Sequence, residues 1–437
     1  MTEQPKPHRI VVVGGGAGGL ELVTRLGDTL GHRRQADITL IDDKLTHLWK
    51  PLLHQVAAGT LDSHEAEIDY LAQARNHGFH FQLGRMESLK RDRHQVILAP
   101  LWDAAGEELI SRRTVPYDTL IIAVGSVTND FGTPGADRYC TFLDSRAQAD
   151  AFQRHLLESY LRLQFQKQTD HDGALEIAII GAGATGVELA AELHNTTEQM
   201  RIYGLDAIVP GRDLKLSLIE AADRILPPLS TKVAESTRQE LEQLGVQIYT
   251  GEKVTEVTAQ GVHTAGGRFI PARLIVWCAG VKAPAFLKDL GGLETDSKNL
   301  LVVRPTLQTT RDDAIFALGD CAACESNGRP VPPRAQAAHQ QAGLLVKSMR
   351  RRLQGRPLPN YVYRDYGSLV ELSRYTTVGT LMGRLVGRLV VEGKIARLIY
   401  QSLYKQHQVA LFGFFRAAFL TVANYLRYQA KPRLKLH

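Results

Sequence analysis

Ile10-Val11-Val12-Val13-Gly14-Gly15-Gly16-Ala17-Gly18-Gly19 is the run from which the architecture follows. Four consecutive β-branched residues read as a strand buried on both faces, as in a parallel sheet. Gly14, Gly16 and Gly19 follow at G-x-G-x-x-G spacing, and Leu20-Glu21-Leu22-Val23 continues as a helix. One glycine permits the tight turn, one lets the backbone approach a pyrophosphate, and one lets helix pack on strand. The anion then sits at the helix N-terminus, where free N–H groups and the dipole favour negative charge. Asp42 closes the next strand-like run, about 20 residues on, where a carboxylate accepts a ribose hydroxyl.

The same device returns further down the chain. Ile177-Ala178-Ile179-Ile180 leads into Gly181-Ala182-Gly183-Ala184-Thr185-Gly186-Val187-Glu188. Two strand–glycine–helix units are far more specific than one. The following strand, Leu214–Ile219, ends in Glu220; its longer spacing predicts an insertion around 195–212. A carboxylate there favours the free 2′-hydroxyl of NADH over the 2′-phosphate of NADPH, a preference that nearby Arg224 moderates.

A second device is also doubled. Tyr117–Val124 is an apolar run ending at Gly125, and Arg273–Ala279 is another ending at Gly280. Each reads either as a core strand stopping at a turn or as a glycine passing under a cofactor. Between the members of each pair lie short β-like pieces; Phe79–Leu83 and Gln95–Leu98 read as parts of one small antiparallel sheet. The first unit would resume at Asp313–Asp320. The expected architecture is therefore α/β, with two Rossmann-like dinucleotide-binding domains, the second inserted in the first. The expected limits are 1–126 and 291–358 for the first domain, 127–290 for the second, and 359–437 for a C-terminal amphipathic-helical region that associates with a membrane.

The 437 residues are 44% hydrophobic and 22% charged, ordinary for a globular chain. The net charge of +6 is confined to the tail: eight cations and no acidic residue follow Glu392, leaving −2 for residues 1–392. A nucleic-acid face on the body is not expected. Four cysteines are too few for a disulfide scaffold. The polar start carries neither a signal core nor an Arg-rich presequence, so the expected place is the cytoplasm. No 18-residue apolar run occurs. Leu411, Phe414, Phe415, Ala418, Phe419 and Val422 fall on one helical face, preceded by a shorter stripe of Ile395, Leu398, Ile399 and Leu403. That face would pack on the core or a second subunit, or lie in the headgroup plane of an anionic leaflet.

Together these stretches resemble the two-dinucleotide-binding-domain flavoproteins of the pyridine nucleotide–disulfide reductase superfamily. Gly183–Ala190, Trp277–Ala283 and Ala335-Gln336-Ala337-Ala338-His339-Gln340 are similar to the type II NADH:quinone oxidoreductases. The ending, Ser402–Gln408 through Pro432–His437, resembles their bacterial respiratory members. The resemblance implies FAD in the first domain, NADH in the second, and electrons passing to membrane quinone without proton pumping. It implies Asp320 on the FAD ribitol and the Ala335–Gln340 segment over the flavin at the quinone entrance. It also implies docking at the cytoplasmic face of the inner membrane; a homodimer would suit the apolar tail as well.

Several residues carry two readings. Glu188, expected in the first turn of its helix, is either a dipole-stabilised surface glutamate or, by the resemblance, a group near nicotinamide and flavin. Gln336 and Gln340 share a helix face and either do nothing or line the quinone site. His339 is a proton donor or a hydrogen-bonded surface residue. Cys321-Ala322-Ala323-Cys324 raises a dithiol alternative, although it directly follows the expected ribitol site. The alternatives to a quinone reductase are a soluble NAD(P)H oxidase, a disulfide reductase, or a flavin-binding redox sensor without turnover.

Overall fold

The computed structural model describes residues 6–168, 173–206, 208–372, 376–383, 387–392, 394–430 and 434–435. Along the chain run β1 (His8–Val13), α1 (Ala17–Leu26), β2 (Ala36–Asp42), α2 (Leu53–Ala58), α3 (Tyr70–His77), β3 (His80–Leu83) and β4 (Thr119–Ile122). The inserted unit follows with α4 (Arg146–Gln168), β5 (Leu175–Ile180), α5 (Ala184–Ile202), β6 (Leu214–Ile219), α6 (Thr231–Gln243), β7 (Gln247–Tyr249) and β8 (Leu274–Trp277). The chain then returns to β9 (Asp312–Ala317) and α7 (Ala335–Leu353). It ends with β10 (Gly367–Leu372), β11 (Thr376–Gly383), β12 (Gly387–Glu392), α8 (Lys394–Phe412) and α9 (Phe414–Ala430).

Two sheets organise the molecule. The first has six strands in the order Gln308–Thr309, β9, β4, β1, β2, β3, parallel throughout except for the edge strand Gln308–Thr309. The second has five, Thr141–Phe142, β8, β5, β6, β7, all parallel. In each, the strand before the glycine turn lies where the order reverses, which is where α/β sheets bind ligands. Strands buried on both faces explain the unbroken apolar runs: Ile10, Val11, Val12, Ile121 and Ile122 are at most 1% exposed. A two-stranded antiparallel ladder, Val127–Thr128 with Val281–Lys282, joins the two units where the chain crosses between them.

Two expectations are corrected. His80–Leu83 does not belong to a small antiparallel sheet; it pairs parallel with β2, Thr39 opposite His80. The antiparallel sheet consists of Met86–Lys90, Gln95–Leu98 and Arg113–Pro116. Four residues cannot reveal by pattern which neighbour they will pair with, and here α3 supplies the crossover. The extra length before Glu220 is shared between α5, which continues to Ile202, and the chain that follows it. Finally, the C-terminal region is not purely helical. Strands β10, β11 and β12 form an antiparallel meander in register Leu369 with Gly379 and Gly379 with Val391, and β10 packs on α5.

The tail also departs from a single helical face. Gly413 adopts φ +76° and separates α8 from α9. Leu411 is fully buried in the core of the first unit, among Leu20, Tyr70 and Phe79. Phe414, Phe415, Ala418, Phe419 and Val422 instead stay exposed on α9. The side chains of Ile395, Leu398, Ile399 and Leu403 lie outside the described residues. Lys435 turns back onto the body: its N–H donates to Gly59 C=O at 2.9 Å, and its ammonium sits 3.5 Å from Asp62 and 3.7 Å from Asp150.

Candidate functional site

The two glycine turns have the same construction to within a tenth or two of an ångström. Gly14 N–H donates to Ile41 C=O at 2.8 Å, and Gly181 N–H to Ile219 C=O at 2.7 Å. Gly14 and Gly181 stand at φ +103° and +100°, the region glycine alone enters readily. A Cβ at Gly14 would overlap Ala123 C=O, and one at Gly181 would overlap the Ala279 backbone. Gly19 and Gly186 likewise admit no Cβ, since each packs on the carbonyl of the first glycine of its turn. The middle glycines differ. At Gly16 and Gly183 a Cβ would meet nothing within 4 Å. α1 opens on Gly16 and α5 on Gly183, both without a side-chain cap. Open space before an uncapped helix N-terminus is the cradle a pyrophosphate requires, so the residues fit two dinucleotides.

Acidic residues close both cradles in the same way. Asp42 accepts from Gly15 N–H at 2.6 Å and Lys44 N–H at 2.9 Å. Glu220 accepts from Ala182 N–H at 2.8 Å and Ala222 N–H at 2.9 Å. Burial holds the Asp42 carboxyl above its usual range, against the pull of those two N–H donors. Arg224 is turned away from Glu220: its guanidinium donates to Thr231 Oγ1 and to the carbonyls of Pro227 and Leu229. Arg224 is thereby committed away from a 2′-phosphate, and Glu220→Gln is expected to raise the NADPH/NADH ratio of kcat/KM by about tenfold, from loss of one charge-assisted bond and one repulsion. Steady-state rates with both nucleotides check this, and an unchanged ratio would remove Glu220 from the ribose contact.

Gly125 (φ +68°) and Gly280 (φ +67°) follow β4 and β8 as left-handed turns. A Cβ at Gly125 meets open space, whereas at Gly280 it would collide with Phe131. Asp320, just past β9, accepts from Ser126 Oγ at 2.9 Å, and burial raises its carboxyl pKa against the nearby Lys50 cation. Lys50 donates to Ser126 C=O at 2.9 Å and to Asp144 at 3.0 Å. So β4, β9 and the Lys50 segment converge on one place, with α7 entering at Ala335, again without a side-chain cap. Gln341 is fully buried and accepts from Gly319 N–H at 2.7 Å, fixing the turn that aims Asp320. Sequence reading missed Lys50, Ser126 and Gln341, because only the fold brings them together.

Glu188 is not in the first turn and not on the surface. α5 starts at Ala184, which puts Glu188 in the second turn, 5% exposed. One carboxylate oxygen accepts from Glu371 N–H of β10 at 3.2 Å, and the other lies 3.7 Å from His54 Nδ1 of α2. Burial pushes the His54 imidazole down to about 4, as it does His47. Such rings are neutral when folded and bind protons once unfolded, so stability is full above pH 6.5 and falls as pH drops towards 4. Thermal melts between those limits should show that slope, shallower in His54→Leu; an identical slope would place the linkage elsewhere.

Gln336 and Gln340 do share a face, but their amides are engaged. Gln336 donates to Tyr363 OH at 2.9 Å, and Gln340 exchanges two hydrogen bonds with the Arg364 backbone at 2.8 and 3.0 Å. Both hold the 361–367 strap, so any ligand beside them meets Tyr363 and Tyr366 too. His339 is hydrogen-bonded to the buried Glu21 carboxylate at 2.7 Å. Cys321 and Cys324 are free and buried, with thiol pKa values pushed up to about 12 and 11. Neither is a thiolate near neutrality, as a dithiol centre would need. Among the described residues no His, Cys, Asp or Glu cluster suits a metal ion.

Comparison with known proteins agrees with this geometry. The family model described as pyridine nucleotide-disulphide oxidoreductase matches residues 8–342. A type II NADH:quinone oxidoreductase of Haemophilus influenzae is 42% identical, covering 98% of this chain and 99% of its own. One from Mycobacterium tuberculosis is 29% identical over 94% of this chain and 86% of its own. Among solved structures, NDH2 of Plasmodium falciparum in complex with NADH has TM-score 0.79 at 17% identity, covering 98% of this chain and 99% of its own. The sulfide:quinone oxidoreductase of Aquifex aeolicus has TM-score 0.72 at 17% identity, covering 93% and 92%. These last two speak for the fold alone.

Proposed function

The chain belongs to the pyridine nucleotide-disulphide oxidoreductase family, among its type II NADH:quinone oxidoreductases, and from that premise we propose how its residues divide the work. It is a flavoenzyme that moves electrons from NADH through FAD to quinone without pumping protons. The observation that carries this reading is the doubled cradle: two open glycine turns, each closed by one carboxylate. Gly14, Gly16, Gly19, Asp42, Gly125, Asp320 and Ala335 hold FAD. Gly181, Gly183, Gly186, Glu220 and Gly280 hold NADH. The first unit takes residues 1–126 and 291–358, the second 127–290, and the remainder forms the C-terminal region. The apolar residues Ala283, Leu287 and Leu290 already pack with Val11 and Ile122 of the first unit, so its core begins slightly before 291.

FAD, when bound, supplies hydride acceptance and onward transfer in one- or two-electron steps. The protein's share is geometric. The uncapped N-termini of α1 and α5 fix the two pyrophosphates, and the carboxylates of Asp42 and Glu220 fix the riboses, so the reactive rings meet in one orientation. Glu188, buried beside His54, stands at the junction of α5, α2 and β10, where it orients the nicotinamide or relays a proton. Gln336 and Gln340 set the quinone wall through the strap they hold.

Docking at the cytoplasmic face of the membrane is proposed for α9. Phe415 is 87% exposed and Phe419 73%, with Phe414, Val422 and Leu426 beside them. A largely apolar groove of about 430 Å³, between α3 and α9, opens next to this surface; Ile68, Phe412, Phe419 and Leu420 line it together with Glu67 and Asp69. Apolar residues at helical spacing around Arg416 suit a helix lying in the headgroup plane. Among the described residues no helix is long and apolar enough to cross a membrane. A homodimer through the same surface is the second reading.

The test is purification in detergent, a flavin spectrum, and NADH titration with a short-chain quinone as acceptor. Turnover with quinone is expected. Flavin reduction without steady quinone turnover would favour a redox sensor instead.

A further inference from the structure

Lys435 is bonded to both units at once. Its N–H donates to Gly59 C=O at 2.9 Å, and its C=O accepts from Gln153 Nε2 at 2.8 Å. Its ammonium lies 3.5 Å from the Asp62 carboxylate and 3.7 Å from that of Asp150. Gly59 and Asp62 follow α2 in the first unit, whereas Asp150 and Gln153 stand on α4 in the second. Backbone and side chain are thus each bonded once to either unit. Beside it Leu434, 6% exposed, enters the apolar cluster that holds Val56 and Ala58 of α2 together with Ala149 and Phe152 of α4.

The notch that receives this pair is shaped for a cation. Arg146 of α4 is ion-paired with Glu67 at 2.7 Å and with Asp150 at 3.2 Å. Asp62, Glu67 and Asp150 set three carboxylates against that guanidinium, and Lys435 brings the second positive charge. The two carboxylates it meets are held in place: Asp62 accepts from His64 N–H at 3.1 Å, and Asp150 from Ser63 Oγ at 3.1 Å. Gly59 closes α2 in a left-handed turn, φ +78°, which leaves its carbonyl free to accept from Lys435. α2 is also where the units meet near the chemistry. His54 of α2 lies 3.7 Å from Glu188 of α5, and Ala58 C=O accepts from Thr196 Oγ1 of α5 at 2.8 Å. α5 in turn opens on the second cradle.

We propose that Leu434–Lys435 is a clasp: this C-terminal segment occupies the notch between α2 and α4 and fixes the two units in the register that hydride transfer requires. The proposal rests on the reading that the first unit holds FAD and the second NADH. Apolar packing of α2 on α4 is non-directional, whereas hydrogen bonds and ion pairs reaching both elements from one residue set their offset. Hydride passes only between rings in contact, and a misplacement of about 1 Å costs on the order of 10² in rate. Asp42 and Glu220 are bonded to the glycine turns of their own units, so affinity for either ligand does not follow the clasp.

The experiment uses the holoprotein, a Lys435→Met variant, and a chain ended at Arg433. An arginine-specific protease cuts the Arg433–Leu434 bond, and the intact mass reports loss of the last four residues. Cleavage follows the open fraction when opening is fast, and Lys435→Met is expected to accelerate it about fivefold, the weight of two partly buried ion pairs. Stopped-flow reduction of the bound flavin by NADH then reads the register. The chain ended at Arg433 should keep its flavin absorbance and its Kd for NADH, while the limiting rate of flavin reduction falls about tenfold. A fall in rate with both ligands retained separates lost register from a damaged cradle. If the shortened chain fails to fold, Leu434→Asp, which sets a charge against the apolar cluster, replaces it with the same expectation. Equal cleavage of the parent and Lys435→Met would overturn the clasp. So would an undiminished limiting rate in the shortened chain, or a fall accompanied by lost flavin or weakened NADH binding. If NADH does not reduce the parent's flavin, the reading of the two cradles falls, and the register proposal with it, whatever the protease shows.

Discussion

Gly16→Val should yield a folded protein without FAD. A Cβ at this position meets nothing within 4 Å, so the chain accommodates a side chain there. What the side chain fills is the space in front of the α1 N-terminus. Shutting a pyrophosphate out of that space forfeits roughly two charge-assisted hydrogen bonds at about 2 kcal/mol each, on the order of 10³ in affinity. The ratio of flavin to protein absorbance after purification reads this directly. Gly183→Val makes the same change in the second cradle and should keep its FAD while losing NADH-driven flavin reduction at low NADH. The contrast assigns one cofactor to each cradle, and loss of FAD in both variants would refute the assignment. Gly14→Val and Gly19→Val are different in kind: their side chains would run into Ala123 C=O and Gly14 C=O, so loss of the fold is expected there.

Replacing Phe415, Phe419 and Val422 together by serine should release the protein from anionic phospholipid vesicles. All three side chains are exposed, so the core is untouched. Burying each in the acyl boundary contributes about 2 kcal/mol, so the triple change lowers partitioning by at least about 10³. Sedimentation with vesicles measures this. Reduction of a short-chain quinone in solution should be unaffected, whereas reduction of a lipophilic quinone held in the vesicles should fall with the bound fraction. Unchanged sedimentation together with loss of a dimer would favour the second-subunit reading of the same face. Removing everything after Glu392 would be a poorer test, because it also takes away Leu411 and His407, which belong to the first unit.

Much of this architecture was legible in the chain because parallel strands buried on both faces must be written as apolar runs. Ile10–Val13 and Ile177–Ile180 need no partner to be recognised, and the glycines after them have one conformation to serve. Asp42 and Glu220 were legible for the same local reason: each ends the strand beside its turn and bonds to it. The short pieces were less clear. His80–Leu83 joined the parallel sheet and not the antiparallel one, since four residues carry no record of their neighbour. β10 to β12 were not expected from the sequence, although Leu369-Val370-Glu371-Leu372 and Leu389-Val390-Val391 carry a strand-like signal, because these runs are short and sit beside a strongly basic tail.

Read from the chain alone, the two glycine turns, their order and the acidic residue closing each are already present. These depend on interactions between residues close in the chain, or on strands whose burial is uniform. Packing between distant elements is what buries Glu188 beside His54, sets Gln336 and Gln340 against a strap, and divides the apolar tail at Gly413 into a core segment and an exposed one. Only it could join His407 to His47 across 360 positions of chain. A side chain's burial and its distant partner are set by which elements pack together, and no spacing along the chain encodes that for a single histidine or glutamate.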